Sequence, residues 1–434
     1  MTLREEVSGL LQELIRLDTV NPPGNETRAA ELLQHYLARS GVESELVART
    51  PNRANLVARL EGGGGPSLLL MAHTDTVLAD PEEWLRDPWS GDLVDGEIWG
   101  RGALDMKGHV AAAAVAFASL AREGAPLAGD VLLALTADEE VGVGLGTSWL
   151  AEDHPATVRA NFGLNEGGGE RCVFGGSVYY LCAVGEKATA PFRLRLHGRS
   201  GHASDPYAAD NALLKAAPVL EALARLEPPQ SLLPEVEAFL RTILGEAPPV
   251  EQALERAGQL HPLAAQLVAP LLAATLSPTM IEASRKRNVI PGSCVIDVDC
   301  RLLPGQERGE MEALLRAGVP GDWDLEWIEA EYVGGTRSPL ASPLWDALEG
   351  WVAGIEPGAR LAPIVTAGFT DSHYVRKAFD TTVYGFFPLK AMDTELATRL
   401  IHSADERIAV DDLELGVDLF RHVAAHHGAA TGDR

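Results

Sequence analysis

The stretch LLLMAHTDTV, residues 68–77, decides how the rest of the chain is read. Leu68 to Ala72 form an unbroken apolar run, which reads as a strand buried on both faces. His73 and Asp75 follow at its C-terminal end, and both are costly to bury without partners. They stand at i and i+2, so on an extended chain they point to the same side. A histidine–aspartate hydrogen bond capping a strand end accounts for the pair. So does a metal site in which Asp75 accepts the second ring N–H of a coordinating His73. What the neighbouring strands carry separates the two readings.

Working outward, residues 1–186 alternate helix and strand. Residues 2–17 and 25–40 have helical spacing, and a strand pair follows at 43–50 and 54–60. EGGGGP (61–66) reads as a turn; it has neither a GxGxxG pattern nor the lysine of a P-loop. HVAAAAVAFASLAREG (109–124) reads as a buried helix ending at a glycine. DVLLALTADEE (130–140) and NFGLNEGGG (161–169) repeat the pattern of the first stretch, an apolar strand that ends in acids. Parallel α/β sheets hold ligands at the carboxyl ends of their strands, so three such ends in one sheet make a site.

The pattern changes near residue 187. TAPFRLRLHGRS (189–200) and SCVIDVDCRLLP (293–304) alternate like half-exposed antiparallel strands. Residues 206–226 form an amphipathic helix, 229–275 are Pro-rich and helical, and another helix spans 306–316. Helix–strand alternation resumes with a helix at 342–355, strands at 361–366 and 382–387, and a helix at 411–427. The expected fold is a three-layer α/β/α catalytic domain with a mixed, mainly parallel sheet. It is built from residues 1–186 and 331–434, with an α+β domain of residues 187–330 inserted between them.

Bulk composition narrows the function. The 434 residues are 46% hydrophobic and 23% charged, as in a soluble globular protein of two or three units. No apolar run approaches the ~18 residues of a membrane helix. The first residues, MTLREEVSGLLQELIRL, carry acids and helical spacing rather than a signal peptide, which places the protein in the cytoplasm. A formal charge of −26 disfavours nucleic acid and anionic membranes as partners. Cys172, Cys182, Cys294 and Cys300 form no CxxC pair and read as free buried thiols.

The chemistry lies in carboxylates and imidazoles. GRGALDMKG (100–108) offers Asp105, TADEEVG offers Asp138, Glu139 and Glu140, NEGGG offers Glu166, and IHSADERI offers His402. Adjacent carboxylates repel one another unless a cation or solvent compensates. Taken singly, each motif has a structural reading: a capped turn, a solvated acidic loop. Jointly they suit two cations that share a carboxylate and a water, with one acid left over as general base.

The order HTD, GRGALDMKG, ADEE, NEGGG, GRSGHAS, NVIPG with DCR, and HSADE closely resembles the aminoacylase, acetylornithine deacetylase, succinyl-diaminopimelate desuccinylase and glutamate carboxypeptidase family of co-catalytic zinc hydrolases. The resemblance spans essentially the whole chain. It implies that His73, Asp105 and Glu166 hold one zinc, and that Asp105, Glu140 and His402 hold the other, with Asp105 bridging. Cobalt and manganese suit the same ligands. It implies Glu139 as general base, Asp75 as the partner that orients His73, and a cis peptide at Asp105–Met106. The inserted block then corresponds to the family's ferredoxin-like lid. There His202 matches the oxyanion-stabilising histidine, which the family typically supplies across a homodimer interface. Asn288 and Arg301 match substrate-binding residues, with Arg301 clamping a carboxylate. Without the resemblance, Arg301 reads as a surface arginine on an alternating strand.

Two departures stand out. Residues 229–275 lengthen the lid, as in the carboxypeptidase-like branch, and GFTDS (368–372) has Phe369 where related sequences often carry a second glycine. The expected reaction is hydrolysis of an amide in a small substrate bearing a free carboxylate, an N-acyl amino acid or, alternatively, a di- or tripeptide. The reading from another class is a non-catalytic metal-binding relative, which would usually lack a ligand or the base. No GxSxG elbow points to a serine hydrolase.

Overall fold

The computed structural model describes residues 2–428. Two compact units divide the chain: Met1–Val184 with Ser338–Ile364 and Thr370–Arg434, and Gly185–Arg337 with Val365–Phe369. The first unit is built on a mixed sheet. Its strands run in the spatial order Ser44–Ala48, Ala54–Leu60, Gly129–Thr136, Gly65–His73, Phe162–Asn165, Thr382–Gly385, Ser177–Glu186 and Arg360–Thr366, and Arg171–Phe174 pairs beside Ser177–Glu186. The four from Gly129–Thr136 to Thr382–Gly385 are parallel, and antiparallel strands flank them.

Strand geometry explains why LLLMA is apolar throughout. Successive side chains leave opposite faces of the sheet, and both faces are covered. Leu68, Leu70 and Ala72 join a core with Leu11 and Leu14 of the helix Leu3–Ile15, Val110 and Ala114 of Lys107–Glu123, and Leu413 and Phe420 of Val410–His426. Leu69 and Met71 face a second core with Trp149 and Leu150 of the helix Thr147–Asp153 and Val375 of Ser372–Phe379. The result is three layers, α/β/α. Alanines let Lys107–Glu123 lie close to its neighbours: residues 107–120 are all buried, and the helix ends at Gly124 in the left-handed region, φ 57°.

In the second unit, Ser293–Leu302 is the central strand of an antiparallel sheet with Ala188–Thr189, Phe192–His197, Thr275–Glu282 and Trp323–Trp327. Helices Ala212–Arg225 and Arg308–Gly318 pack Val219, Leu223, Met311 and Leu315 against Ile296 and Val298. Residues 233–271 add the helices Pro234–Leu244, Val250–Leu260 and Pro262–Val268 and a short 3-10 turn. Lys187 anchors the end of this segment: fully buried, it donates to Pro270 O at 2.8 Å, Ala273 O at 3.0 Å and Thr275 Oγ1 at 3.2 Å.

Some elements differ from the sequence expectations. The second unit continues past residue 330 to Arg337 and includes Val365–Phe369. Backbone pairing draws these residues in, through the Thr189–Val333 bridge and a hydrogen bond from Lys187 N to Thr366 O of 3.0 Å. Thr275–Glu282 is a strand that begins where the helical stretch was expected to end; its Pro278 and exposed side chains hide the alternation. The strands Asp92–Val94, Glu97–Trp99 and Arg407–Ala409 are three residues each, too short for periodicity to register.

Candidate metal centre

The site lies where the parallel strands end. Gly65–His73 delivers His73 as its last residue, Gly129–Thr136 is followed by Asp138, Glu139 and Glu140, and Phe162–Asn165 by Glu166. Asp105 precedes the helix Lys107–Glu123, and its peptide bond to Met106 is cis. His402 sits in a left-handed turn, φ 59°, after the helix Thr394–Leu400. The NEGGG run is glycine-rich because backbones meet there: a Cβ on Gly169, φ 109°, would lie 1.7 Å from Phe387 O.

Asp105 is the centre of the cluster. Its Oδ1 lies 3.0 Å from His73 Nε2, and its Oδ2 lies 3.1 Å from His402 Nε2. Glu166 approaches His73 Nε2 at 3.7 Å, and Glu140 approaches His402 Nε2 at 3.3 Å. Glu139 joins from the side: one ligand atom each of His73, Glu139 and Glu166 lie within 4.8 Å of one another, as do those of His73, Asp105 and Glu140. Glu140 Oε1 is buried with no hydrogen-bond partner among the described residues. An orphaned, buried carboxylate oxygen beside imidazole nitrogens and further carboxylates is a donor set suited to divalent cations.

Asp75 ties two of the loops together. Fully buried, it accepts the amides of Glu139 and Glu140, both at 3.2 Å, and Asn21 Nδ2 at 2.9 Å. Toward His73 it offers two acceptors, its backbone carbonyl at 3.1 Å from Nδ1 and its carboxylate at 3.4 Å. The carbonyl is the shorter contact, so the expected carboxylate–imidazole bond is shared with the backbone. Asp138 turns away: it pairs with Arg53 at 3.2 Å and accepts Leu145 N at 2.9 Å.

Electrostatics reflect crowded acids. Burial opposes a charged His73, but Glu166, Asp105 and Asp75 overcome it and raise the imidazole well above its ordinary range. Asp105, and then Glu140, push His402 up to about 10. Burial opposes ionisation of Asp105, yet hydrogen bonds with His402 and His73 hold it below the usual carboxylate range. Burial, and then Glu166, push Glu139 well up, and burial also raises Glu166. The acids thus draw positive charge toward the two imidazoles, the compensation that bound cations would supply.

Three residues of this centre escaped the sequence reading. Glu406 is fully buried; it pairs with Arg101 at 2.6 Å and accepts the amides of Gly102, Leu104 and Asp105 at 3.0, 2.7 and 3.0 Å. It thus fixes the loop that presents Asp105. Asp371, which accepts Thr147 Oγ1 at 2.6 Å, is pushed up to about 7 by burial. Asn21 is the third. The signals were faint: Glu406 ends the HSADE string and Asp371 lies inside GFTDS.

His202, Asn288 and Arg301 belong to the second unit. Gly201–His202 pairs with Val289–Ile290, and Asn288 O accepts Ala203 N at 3.0 Å, so His202 and Asn288 are neighbours. The amide of Ser204 donates to His202 Nδ1 at 3.2 Å. Ser204 Oγ lies closer to the same nitrogen, at 2.6 Å, so Ser204 holds the ring through both its amide and its hydroxyl. Arg301 spends its fork on Asp299, Nε to Oδ1 at 2.9 Å and Nη2 to Oδ2 at 3.0 Å, while Nη1 donates to Thr189 at 2.6 Å.

Residues 69–426 match the profile of Peptidase family M20/M25/M40. A succinyl-diaminopimelate desuccinylase of Methylorubrum extorquens is 28% identical over 430 residues, which cover 93% of this chain and 94% of that protein. Among solved structures, the M20 family metallo-carboxypeptidase Sso-CP2 from Sulfolobus solfataricus aligns with a TM-score of 0.75 at 18% identity, over 98% of this chain and 99% of that one. The dipeptidase Dug1p from Saccharomyces cerevisiae aligns with a TM-score of 0.69 at 14% identity, over 99% and 97%. At such identities the structures show the fold. Among the described residues, no helix is long and apolar enough to cross a membrane.

Proposed function

The chain belongs to peptidase family M20/M25/M40 and is a hydrolase of amide bonds, and from that premise we propose that it cleaves small N-acyl amino acids or short peptides that carry a free carboxylate. The observation that carries the proposal is the Asp105 carboxylate held between two imidazoles, with Glu166 on the His73 side and Glu140 on the His402 side. His73, Asp105 and Glu166 would hold one zinc ion, and Asp105, Glu140 and His402 a second; cobalt or manganese would fit the same donors. Ions held there would supply Lewis acidity, lowering the pKa of water toward neutrality and polarising a carbonyl.

The protein's own groups do the rest. Glu139, whose buried carboxyl is pushed well up, takes a proton from the attacking water and returns it to the leaving amine. His202, held at Nδ1 by Ser204, donates through Nε2 to the oxyanion of the tetrahedral intermediate, from its own chain or from a partner in a lid-mediated homodimer. Arg301 exchanges Asp299 for the substrate carboxylate, with Asn288 beside the reacting group.

The test is amine release, with zinc present, from a panel of N-acetyl, N-succinyl and long-chain N-acyl amino acids and dipeptides, with Glu139→Gln as the blank. Hydrolysis by the wild type and a loss of at least ~10²-fold in the variant, with metal retained, supports the reading. Near-normal turnover by Glu139→Gln with metal bound would remove Glu139 from the role of base.

A further inference from the structure

Next to the candidate centre, within the first unit, lies a cavity of about 130 Å³. Asp105 and Glu166 line it, so it opens beside two of the proposed ligand carboxylates. Met106, Phe387, Leu389 and Ile408 form apolar walls. Two further lining residues have no part in the chemistry proposed above. His109 is 2% exposed, and neither of its ring nitrogens has a hydrogen-bond partner among the described residues. It packs against the rings of Phe387 and Phe420, with centroids at 5.0 and 4.9 Å. Glu170 Oε2 is likewise buried without a partner.

Buried polar atoms without partners are uncommon, and two such residues around one cavity call for a ligand that supplies them. Its sign follows from charge. No lysine or arginine lines the cavity. Two divalent ions would be balanced by Asp105, Glu140, Glu166 and Glu139; Glu170 has no cation beside it, and burial raises its carboxyl above the ordinary range, so a cation entering the cavity is what would ionise it. Burial keeps His109 from charging, so it contributes an acceptor and a donor rather than a second cation. The volume, at ~30 Å³ per water, suits about four waters or one short aminoalkyl group.

We infer that this cavity is a subsite for a protonated amino group of the substrate, received by Glu170 and His109. The inference rests on the amide-hydrolase reading and narrows it: substrates with a free amino group near the scissile carbonyl, such as dipeptides, are preferred over N-acyl amino acids whose acyl group ends in a carboxylate. That carboxylate would meet Glu170 without a counter-charge.

Two arms test it on the full, metal-loaded chain. In the first, calorimetry or ligand-observed NMR compares ethylammonium, ethanol and potassium ion as probes. Ethylammonium should bind about ten-fold tighter than ethanol, the scale of a charged hydrogen bond, and Glu170→Gln should abolish the difference. Glu170→Asp, which keeps the charge, should retain a preference for the cation. In the second arm, kcat/KM is compared for Ala-Ala and its des-amino analogue propionyl-Ala; the ratio should fall toward unity in Glu170→Gln, through KM. Equal binding of ethylammonium and ethanol, binding of potassium alone, or a ratio untouched by Glu170→Gln overturns the inference. Hydrolysis of neither compound would count against the amide-hydrolase reading, while the binding arm would still decide the subsite.

Discussion

Glu406 tests how the centre is held. The prediction concerns Glu406→Gln, which keeps the shape and removes the charge. In the native protein this carboxylate is fully buried, faces the Arg101 guanidinium at 2.6 Å and accepts three backbone amides, one of them from Asp105 itself. Arg101 is almost as deeply buried, with 3% of its side chain exposed, so the change strands a cation in a dry site. Breaking one side of such a pair costs about 3–5 kcal/mol. The amide nitrogen of the new glutamine also faces donors, which adds to the cost. At ~2 °C per kcal/mol for a unit of this size, the melting temperature should fall by at least about 6 °C. The loop bearing Asp105 loses its anchor at the same time, and outer-shell losses of this kind weaken metal binding by about 10–100-fold. Thermal unfolding by circular dichroism and metal content after dialysis against a weak chelator measure the two effects. A variant that melts within 1–2 °C of the wild type (under ~1 kcal/mol) and retains its metal would refute the argument that Glu406 fixes the Asp105 loop.

Two further variants address the second unit. His202→Ala should lower kcat by about 10²–10³-fold, the scale of one oxyanion donor, while metal content stays constant; loss of metal would instead make His202 a ligand. Arg301→Ala should raise KM about ten-fold or more for carboxylate-bearing substrates at little cost in kcat. An unchanged KM would mean that the Asp299 pair is the whole purpose of Arg301.

The legible parts of this molecule were those written locally. LLLMA followed by HTD shows both a strand covered on two faces and a chemical strand end, because side-chain alternation and residue type are properties of neighbours. The same holds for LLALTADEE and FGLNEGG, and the structure sets these three strand ends side by side. What escaped depends on residues far apart. Glu406 and Arg101 are 305 positions apart, so nothing near either one announces the pair. Arg53 pairs with Glu26 and Asp138, and that pairing withdraws one of three adjacent acids from the centre. Arg301 is a different case. Asp299 and Arg301 stand at i and i+2 on one strand, so their pairing was readable from DCR, and the resemblance drew attention to a substrate carboxylate instead.

The acid excess at the centre makes a last prediction about pH. Without metal, His402 has its pKa raised to about 10 by Asp105 and Glu140, and His73 is raised well above its ordinary value. A histidine whose folded pKa exceeds its unfolded value of about 6.5 contributes stability in full below that pH, and loses it as pH rises through the folded value. Both imidazoles must give up their protons to bind metal, so binding displaces protons throughout the neutral range. The stability added by zinc should therefore grow with pH, by up to ~1.4 kcal/mol per pH unit for each proton displaced. Buried groups outside the centre do not blur the sign. Lys107, which burial lowers to about 7, stands two residues from Asp105, so a bound cation lowers it further and displaces a proton in the same direction; Lys187, which burial lowers to about 8, belongs to the second unit. Urea unfolding of chelator-treated and zinc-reconstituted protein at pH 6 and pH 8 measures the gap directly. Even one proton displaced in all should widen the gap by about 3 kcal/mol across that interval. A gap that stays constant would mean that the imidazoles are already neutral without metal, and that the ion pairs centred on Asp105 do not exist in solution.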